Sequence, residues 1–146
     1  MTEQKFGQTL RKRLRPVGFQ VTPIEATTAL GVPDMYFSFT VPSHSIQWSG
    51  EGWIELKILE GNAFRHPLSE NQIAWIRLQV ANRVNVAVMA YDMRDDSIWM
   101  WDGVDVVDLA FADRAKKTRA VDCIVNAGGR GKWKEMESAI VEWGTH

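Results

Sequence analysis

Two carboxylates and a lysine occupy positions from which they could form one chemical site. Asp34 follows a Gly-x-Pro turn in the segment GVPDMYF, and Glu55 and Lys57 are two residues apart in the apolar segment WIELKIL. Because side chains alternate along a strand, Glu55 and Lys57 lie on the same face, with their Cα atoms about 7 Å apart. Charged groups in an apolar strand carry a large desolvation cost, which indicates a functional role.

A divalent metal ion is the ligand that these residues predict. If the strand that follows Asp34 pairs with the strand of Glu55, the two carboxylates meet at one end of the sheet, where they repel each other unless one binds a proton. Mg²⁺ and Mn²⁺ prefer hard oxygen ligands, so the expected metal ligands are Asp34, Glu55 and the backbone carbonyl of Leu56. Lys57 then places a positive charge where an anionic phosphate or an attacking hydroxide would lie.

Each of these residues also has a structural interpretation. Asp34 could end a Pro-Asp turn, and Glu55 and Lys57 could form the solvent face of an edge strand. Ser69 and Gln72 have the spacing of a capping box at the start of a helix, which would turn the Gln72 side chain back to the Ser69 backbone. Gln72 can also support the site, and one residue can serve both roles.

The elements that position these residues follow a mixed order. Hydrophobic patterns predict a helix over 2–15, strands over 19–24, 35–41 and 53–59, a helix over 68–83, strands over 84–92 and 97–101, and a terminal helix over 132–143. Residues 41–52 are rich in Pro, Ser and Gly and predict a hairpin connection, and the sequence from 104 to 127 is weakly helical. This order predicts an α/β (α+β) single domain over 1–146, with a central mixed β-sheet flanked by helices.

The basic residues are clustered although the formal net charge is −1. Clustering allows a basic surface on a neutral protein, although charge runs are also ordinary solvated helix faces. His66 and Arg65, which follow the WIELKIL strand, could contact phosphate. The candidate nucleic-acid contacts are Lys5, Arg11, Lys12, Arg65, His66, Lys116 and Lys117.

Several other classes of protein receive no support. The three histidines are too scattered for a zinc site, and the segment GGRG lacks the lysine and hydroxyl residue of a P-loop. Trp99 and Trp101 could stack on bases, but a core or dimer contact is the favoured interpretation. With one cysteine, no membrane-length apolar run and no signal-peptide pattern, the sequence predicts a soluble cytoplasmic protein.

Taken together, these motifs resemble the PD-(D/E)xK nuclease superfamily. Pro33-Asp34 followed by Glu55-Leu56-Lys57 matches its defining pattern, with Gly31 ahead as in G-x-P-D. The helix that begins near Gln72 is similar to the Gln motif of the VRR-NUC and Holliday-junction-resolvase-like branches. The resemblance spans about residues 3–101 and implies a restriction-endonuclease-like core followed by a C-terminal helical extension.

The resemblance implies a role for each matching residue. Asp34 and Glu55 would bind the metal, Lys57 would orient or polarise the attacking water, and Gln72 would position Lys57 or a phosphate. Glu25 is similar to the extra acidic residue that phage-type members place shortly before G-x-P-D, and would be a further ligand or bind a second metal. Glu3 is its rival, because resolvases carry a glutamate on the first helix, but the short spacing to Asp34 favours Glu25.

The expected function is therefore a Mg²⁺- or Mn²⁺-dependent DNA endonuclease. We expect it to be structure-specific for branched or junction DNA, to form a homodimer, and to be a phage-type protein acting in the host cytoplasm. Typical resolvases are strongly basic, whereas this chain is nearly neutral. This difference argues against binding of long duplexes more than it argues against the chemistry. The alternatives are a non-catalytic module that binds nucleic acid or protein on the same fold, and a nickase subunit that needs a partner.

Overall fold

The chain folds around one mixed β-sheet with helices on both of its faces. The computed structural model describes residues 1–24, 31–43, 46–61, 63–112, 125–126 and 133–145. Its helices are α1 (Glu3–Leu14), α2 (Glu70–Ala81), α3 (Gly103–Ala112) and α4 (Trp133–Gly144), and a 3₁₀ turn at Arg15–Val17 follows α1. Its strands are β1 (Phe19–Pro23), β2 (Met35–Ser43), β3 (Ile46–Glu60), β4 (Ala63–Phe64), β5 (Val86–Asp92), β6 (Ser97–Asp102) and β7 (Val125–Asn126).

Within these ranges the sheet has seven strands, in the order β1-β2-β3-β5-β6-β7, and the short β4 pairs with β3. Strands β3 and β5 are parallel and are connected through α2, whereas the other pairs are antiparallel. The long strand β3 is therefore central and receives partners along both edges. The mixed sheet flanked by helices confirms the fold class predicted from the sequence.

Alternation along β3 divides the core into two layers. Ile54, Leu56 and Ile58 belong to a cluster that also contains Phe6 and Leu10 of α1 and residues of α4. On the other face, Leu59 belongs to a second cluster with residues of α2, β5 and α3, and Trp53 packs against this cluster. Because both faces of β3 are covered, Glu55 and Lys57 are buried, each with 3% of its surface exposed. The alternative in which they lie on a solvent-exposed strand face is therefore wrong.

The predicted connection over 41–52 is mostly strand in the structure. Strand β2 continues to Ser43 and β3 begins at Ile46, with Phe39 opposite Gly50 and Phe37 opposite Gly52. A Cβ atom on Gly50 would lie 2.4 Å from the Gly144 carbonyl oxygen, and one on Gly52 would lie 2.2 Å from the Trp143 ring. The glycines therefore serve the close approach of α4 to the strand, and they are not turn residues.

The segment after β6 also differs from its prediction. Part of it is helical, as α3 shows, but Val125 and Asn126 form a strand paired with β6, in a stretch predicted to be weakly helical. Trp101 is fully buried and packs edge to face on Phe64, so this side chain is part of the core and is not available to stack on bases. Among the residues described, no helix is both long enough and apolar enough to cross a membrane.

Candidate active site

Asp34 and Leu56 meet at a gap in the pairing along one edge of β3. On this edge, pairing between β2 and β3 ends with Met35 opposite Ile54. Pairing resumes at Leu59 of β3, which lies opposite Phe64 of β4. The Asp34 carboxylate lies at the gap and accepts a hydrogen bond from the Leu56 backbone N–H, with Oδ2 2.9 Å from the nitrogen. Because the backbone groups of one strand residue point the same way, the Leu56 carbonyl faces the same gap. The predicted carboxylate and carbonyl ligands are thus adjacent.

Gln72 connects Glu55 and Lys57 from the start of α2. Its Nε2 donates to Oε1 of Glu55 at 2.8 Å, and its Oε1 accepts from Nζ of Lys57 at 3.3 Å. The same Oε1 accepts from the Ser69 backbone N–H at 2.9 Å, and the Gln72 backbone N–H donates to Oγ of Ser69 at 3.1 Å. Gln72 therefore completes a capping box and contacts both charged residues at once, so the two alternatives weighed for it coexist.

The carboxyl group of Glu55 has a strongly perturbed protonation equilibrium. Burial, followed by the nearby negative charge of Asp34, raises the pKa of Glu55 to about 9. The Lys57 ammonium, 3.8 Å from Glu55 Oε1, lowers this pKa but does not offset burial, and a hydrogen bond between the two carboxyl groups raises it further. Without an added cation, Glu55 is therefore protonated at neutral pH.

Glu3 is a third acidic residue at the site. Its Oε1 is buried without a hydrogen-bond partner among the described residues. Burial raises the pKa of Glu3, the positive charge of Lys57 lowers it, and the negative charge of Asp34 raises it, which shows that these groups are neighbours. Glu25, the residue favoured from spacing, lies outside the described residues. The structure therefore brings Glu3 to the site and leaves the role of Glu25 as a prediction.

Arg65 ties the beginning of the chain to the sheet. Its Nη1 donates to the Met1 carbonyl at 3.0 Å, and its Nε pairs with Glu60. Helix α1 also packs closely on β3 at Gly7, where a side chain would be crowded: a Cβ atom there would lie 3.0 Å from a methyl of Leu56. These contacts hold the first turn of α1, and with it Glu3, near the gap. No sequence pattern pointed to this role for Arg65.

The predicted nucleic-acid contacts fall into three groups. Lys5, Arg11 and Lys12 are exposed on α1, and His66 is exposed close enough to Glu3 to lower its pKa. Arg65 is only partly exposed and its guanidinium already has protein partners. Lys116 and Lys117 lie outside the described residues.

The oxygen donors at the gap fit a hard divalent cation. In the described part of the chain, no three His, Cys, Asp or Glu side chains are grouped closely enough to hold a metal by themselves. Mg²⁺, however, is commonly bound through one or two carboxylates and keeps several waters. A divalent cation would offset the burial of Glu55 and its repulsion by Asp34, which together keep Glu55 neutral, and could bind the buried oxygen of Glu3 that lacks a partner among the described residues.

The two roles of Gln72 can be separated by mutation. Ser69→Ala removes one capping hydrogen bond and should cost about 1 kcal/mol of stability while leaving the Gln72 side chain at the site. Gln72→Ala removes the contacts to Glu55 and Lys57 as well. We expect DNA cleavage to fall about 10- to 100-fold in Gln72→Ala, the usual effect of losing a group that orients site residues, and by less than about threefold in Ser69→Ala.

Initial cleavage rates and thermal unfolding of both variants check this expectation. Ser69→Ala is the control for helix capping, because both variants lose part of the same capping box. Equal losses of activity in the two variants would show that Gln72 acts only through the helix start.

No protein-family model and no curated protein sequence matches this chain. A search of solved structures finds the Holliday junction resolvase Hjc of the archaeal hyperthermophile Archaeoglobus fulgidus. The identity is 14%, the TM-score is 0.46, and the match covers 67% of this chain and 73% of the Hjc chain.

Proposed function

We propose that this chain is a metal-dependent endonuclease that hydrolyses phosphodiester bonds in DNA. The observation that supports it most is the convergence of Asp34, Glu55 and Lys57 at a gap beside β3, with Gln72 bridging the last two. A buried glutamate and a buried lysine with few packing reasons to be there are typical of catalytic sites. Mg²⁺ or Mn²⁺, held by Asp34, Glu55 and the Leu56 carbonyl, would supply Lewis-acid activation of the phosphate and of water.

The protein residues have separate tasks in this reaction. Lys57, held by Gln72, orients the attacking water and offsets the negative charge that develops on the phosphoryl oxygens. The attacking water gives up a proton to solvent as its oxygen forms a bond to phosphorus, the bond from phosphorus to the leaving sugar oxygen breaks, and that oxygen takes a proton from solvent. Glu3 is the further acidic residue in this proposal, with Glu25 as the alternative that the sequence favours.

We further propose that the substrate is branched DNA and that the enzyme acts as a homodimer. Exposed Lys5, Arg11 and Lys12 follow α1 away from the site, which supports contacts with phosphates over base reading. Two opposed strands at a junction need two cuts, and a symmetric dimer supplies two sites.

The direct test compares a four-way junction with a linear duplex of the same sequence, in Mg²⁺ or Mn²⁺ and in EDTA. We expect cleavage of the junction only with metal and at least about tenfold faster than the duplex. We expect a loss of about 10²- to 10³-fold in Lys57→Ala, because a positive charge that stabilises the transition state has been removed. Equal nicking by the wild type and Lys57→Ala would indicate a contaminating nuclease and overturn the proposal.

A further inference from the structure

A basic cleft lies at the end of α1 opposite to Glu3. It has a volume of about 380 Å³ and is lined by Arg11, Arg15, Phe19, Gln20 and Val21. Arg11 and Arg15 are one helical turn apart and are exposed. Neither guanidinium has a carboxylate at salt-bridge distance within the part of the chain described here. Two arginines that line one concave surface predict an anionic ligand with oxygens to share, such as a phosphate.

The edge of β1 adds backbone donors to this cleft. The Gly18 carbonyl accepts from Thr40 and the Ile24 N–H donates to Asp34, so the even-numbered residues of β1 direct their backbone groups toward β2. The pattern alternates in an antiparallel pair, so Phe19 and Val21 direct their N–H groups away from β2. No strand pairs with that edge among the described residues. Two backbone N–H groups therefore face outward beside the two arginines.

The distance from this cleft to the candidate active site follows from the geometry of two elements. Eight residues of α1 separate Glu3 from Arg11, which corresponds to about 12 Å of helix. Four residues of β1 separate Gln20 from Ile24, whose N–H binds the Asp34 carbonyl, which corresponds to about 13 Å of strand. Both lengths therefore place the cleft about 12–13 Å from the candidate active site. Phosphates of one strand advance about 3.4 Å each along the axis of duplex DNA and also wind around it, so a separation of about 12–13 Å in space corresponds to about two nucleotides.

We propose that the cleft between α1 and β1 binds one phosphodiester group of the DNA, about two nucleotides from the bond that is cut. Arg11 and Arg15 donate to its non-bridging oxygens, and the outward N–H groups of Phe19 and Val21 lie beside them. This inference rests on the proposed nuclease function. It adds a second anchoring point that orients a duplex arm relative to the site, because two contacts on one strand define a direction whereas one does not.

The test measures binding without catalysis. A fluorescent four-way junction is titrated with protein in EDTA at several salt concentrations, and affinity is read by anisotropy. We expect Arg11→Gln/Arg15→Gln to bind about 5- to 30-fold more weakly at moderate salt. The slope of log affinity against log salt concentration should become shallower by about one to two. Lys134→Gln, which removes an exposed charge on α4, should have at most about a twofold effect.

A walk along the substrate locates the contact. Uncharged methylphosphonate groups replace single phosphates at successive positions from the cleavage site. We expect one position, about two nucleotides away, to weaken wild-type binding and to have no effect on the double variant.

The outcomes separate this inference from the function on which it rests. If the wild type cleaves the junction with metal but the double variant keeps its affinity and salt dependence, the cleft proposal is wrong and the nuclease proposal stands. If the double variant instead loses self-association in sedimentation while DNA binding is unchanged, the edge of β1 is a protein contact and the cleft proposal is also wrong. If the wild type neither binds nor cleaves DNA, both proposals fail.

Discussion

Glu55→Gln should abolish metal-dependent DNA cleavage and at the same time stabilise the metal-free protein above neutral pH. Glutamine has the shape of the protonated glutamic acid that the folded chain contains. Its carbonyl can accept the hydrogen bond from Nε2 of Gln72 and its amide can donate to Asp34. It cannot supply the negative charge that a divalent cation requires. We expect cleavage to fall by at least about 10³-fold, since the group acts on the charge that develops in the transition state.

The effect on stability depends on pH in a defined direction. The pKa of Glu55 is about 9 in the folded protein and 4.5 for an ordinary glutamate, so between these values the folded state binds a proton that the unfolded state has lost. Folded wild type therefore loses stability as the pH rises from about 4.5 to about 9. The Glu55→Gln substitution removes this loss. In EDTA, the variant should have a melting temperature similar to that of wild type at pH 5 and higher by about 3 °C or more at pH 8.

Thermal unfolding at the two pH values, with Glu142→Gln as an exposed control on α4, measures this effect. The control should leave the difference between pH 5 and pH 8 unchanged. A Glu55→Gln protein that is less stable than wild type at pH 8 would contradict the raised pKa. Retained cleavage would remove Glu55 from the reaction. Stability gained by replacing a group that must take up a proton on folding, and activity lost with that group, are the usual compromise at catalytic sites.

The central pair of the site could be predicted because one local rule sets its geometry. Alternation along an apolar strand places Glu55 and Lys57 on one face in any sheet, and the capping-box spacing places Gln72 in the first turn of a helix. What the sequence could not show is which helix covers that face. The position of α2 over Lys57 depends on the parallel pairing of β3 with β5, which is a contact between distant parts of the chain.

Residues that act across long sequence separations were harder to interpret. The proximity of Glu3 to Asp34 depends on how α1 packs on the sheet, and no spacing rule connects positions 3 and 34. Arg65 looked like a phosphate contact because it follows the WIELKIL strand, yet it binds the Met1 carbonyl. Gly50 and Gly52 looked like turn residues because the helix that needs their missing side chains lies about ninety residues later in the sequence.

Gly31→Ala should damage the site and the fold together, because Gly31 brings the turn before Asp34 against the start of α2. Its φ is +82°, and a Cβ atom there would lie 2.2 Å from the backbone oxygen of Asn71, next to Gln72. The positive φ alone costs a residue with a side chain about 1–2 kcal/mol. The clash with backbone adds about 1–3 kcal/mol, because neither the turn nor the first turn of α2 can move without the other.

Gly61→Ala is a matched control for the backbone part of this effect. Gly61 has a similar φ of +65°, but nothing lies within 4 Å of where its Cβ would be placed. Gly61→Ala should therefore lose only about 1 kcal/mol and keep nearly full cleavage activity. Gly31→Ala should lose about 2–5 kcal/mol of stability. It should also cleave about 10²-fold more slowly, since a displacement of about 1 Å at a catalytic residue has an effect of this size.

Chemical unfolding and cleavage rates at a temperature where both variants are folded decide between two explanations. If the close contact between the turn and α2 positions Asp34 relative to Gln72, the activity loss in Gly31→Ala exceeds what its unfolded fraction accounts for, and Gly61→Ala shows no such excess. If the two variants lose stability and activity to the same extent, the positive backbone φ accounts for the whole loss and the contact with α2 adds nothing. In that case Gly31 acts as an ordinary turn residue and does not couple the two halves of the site.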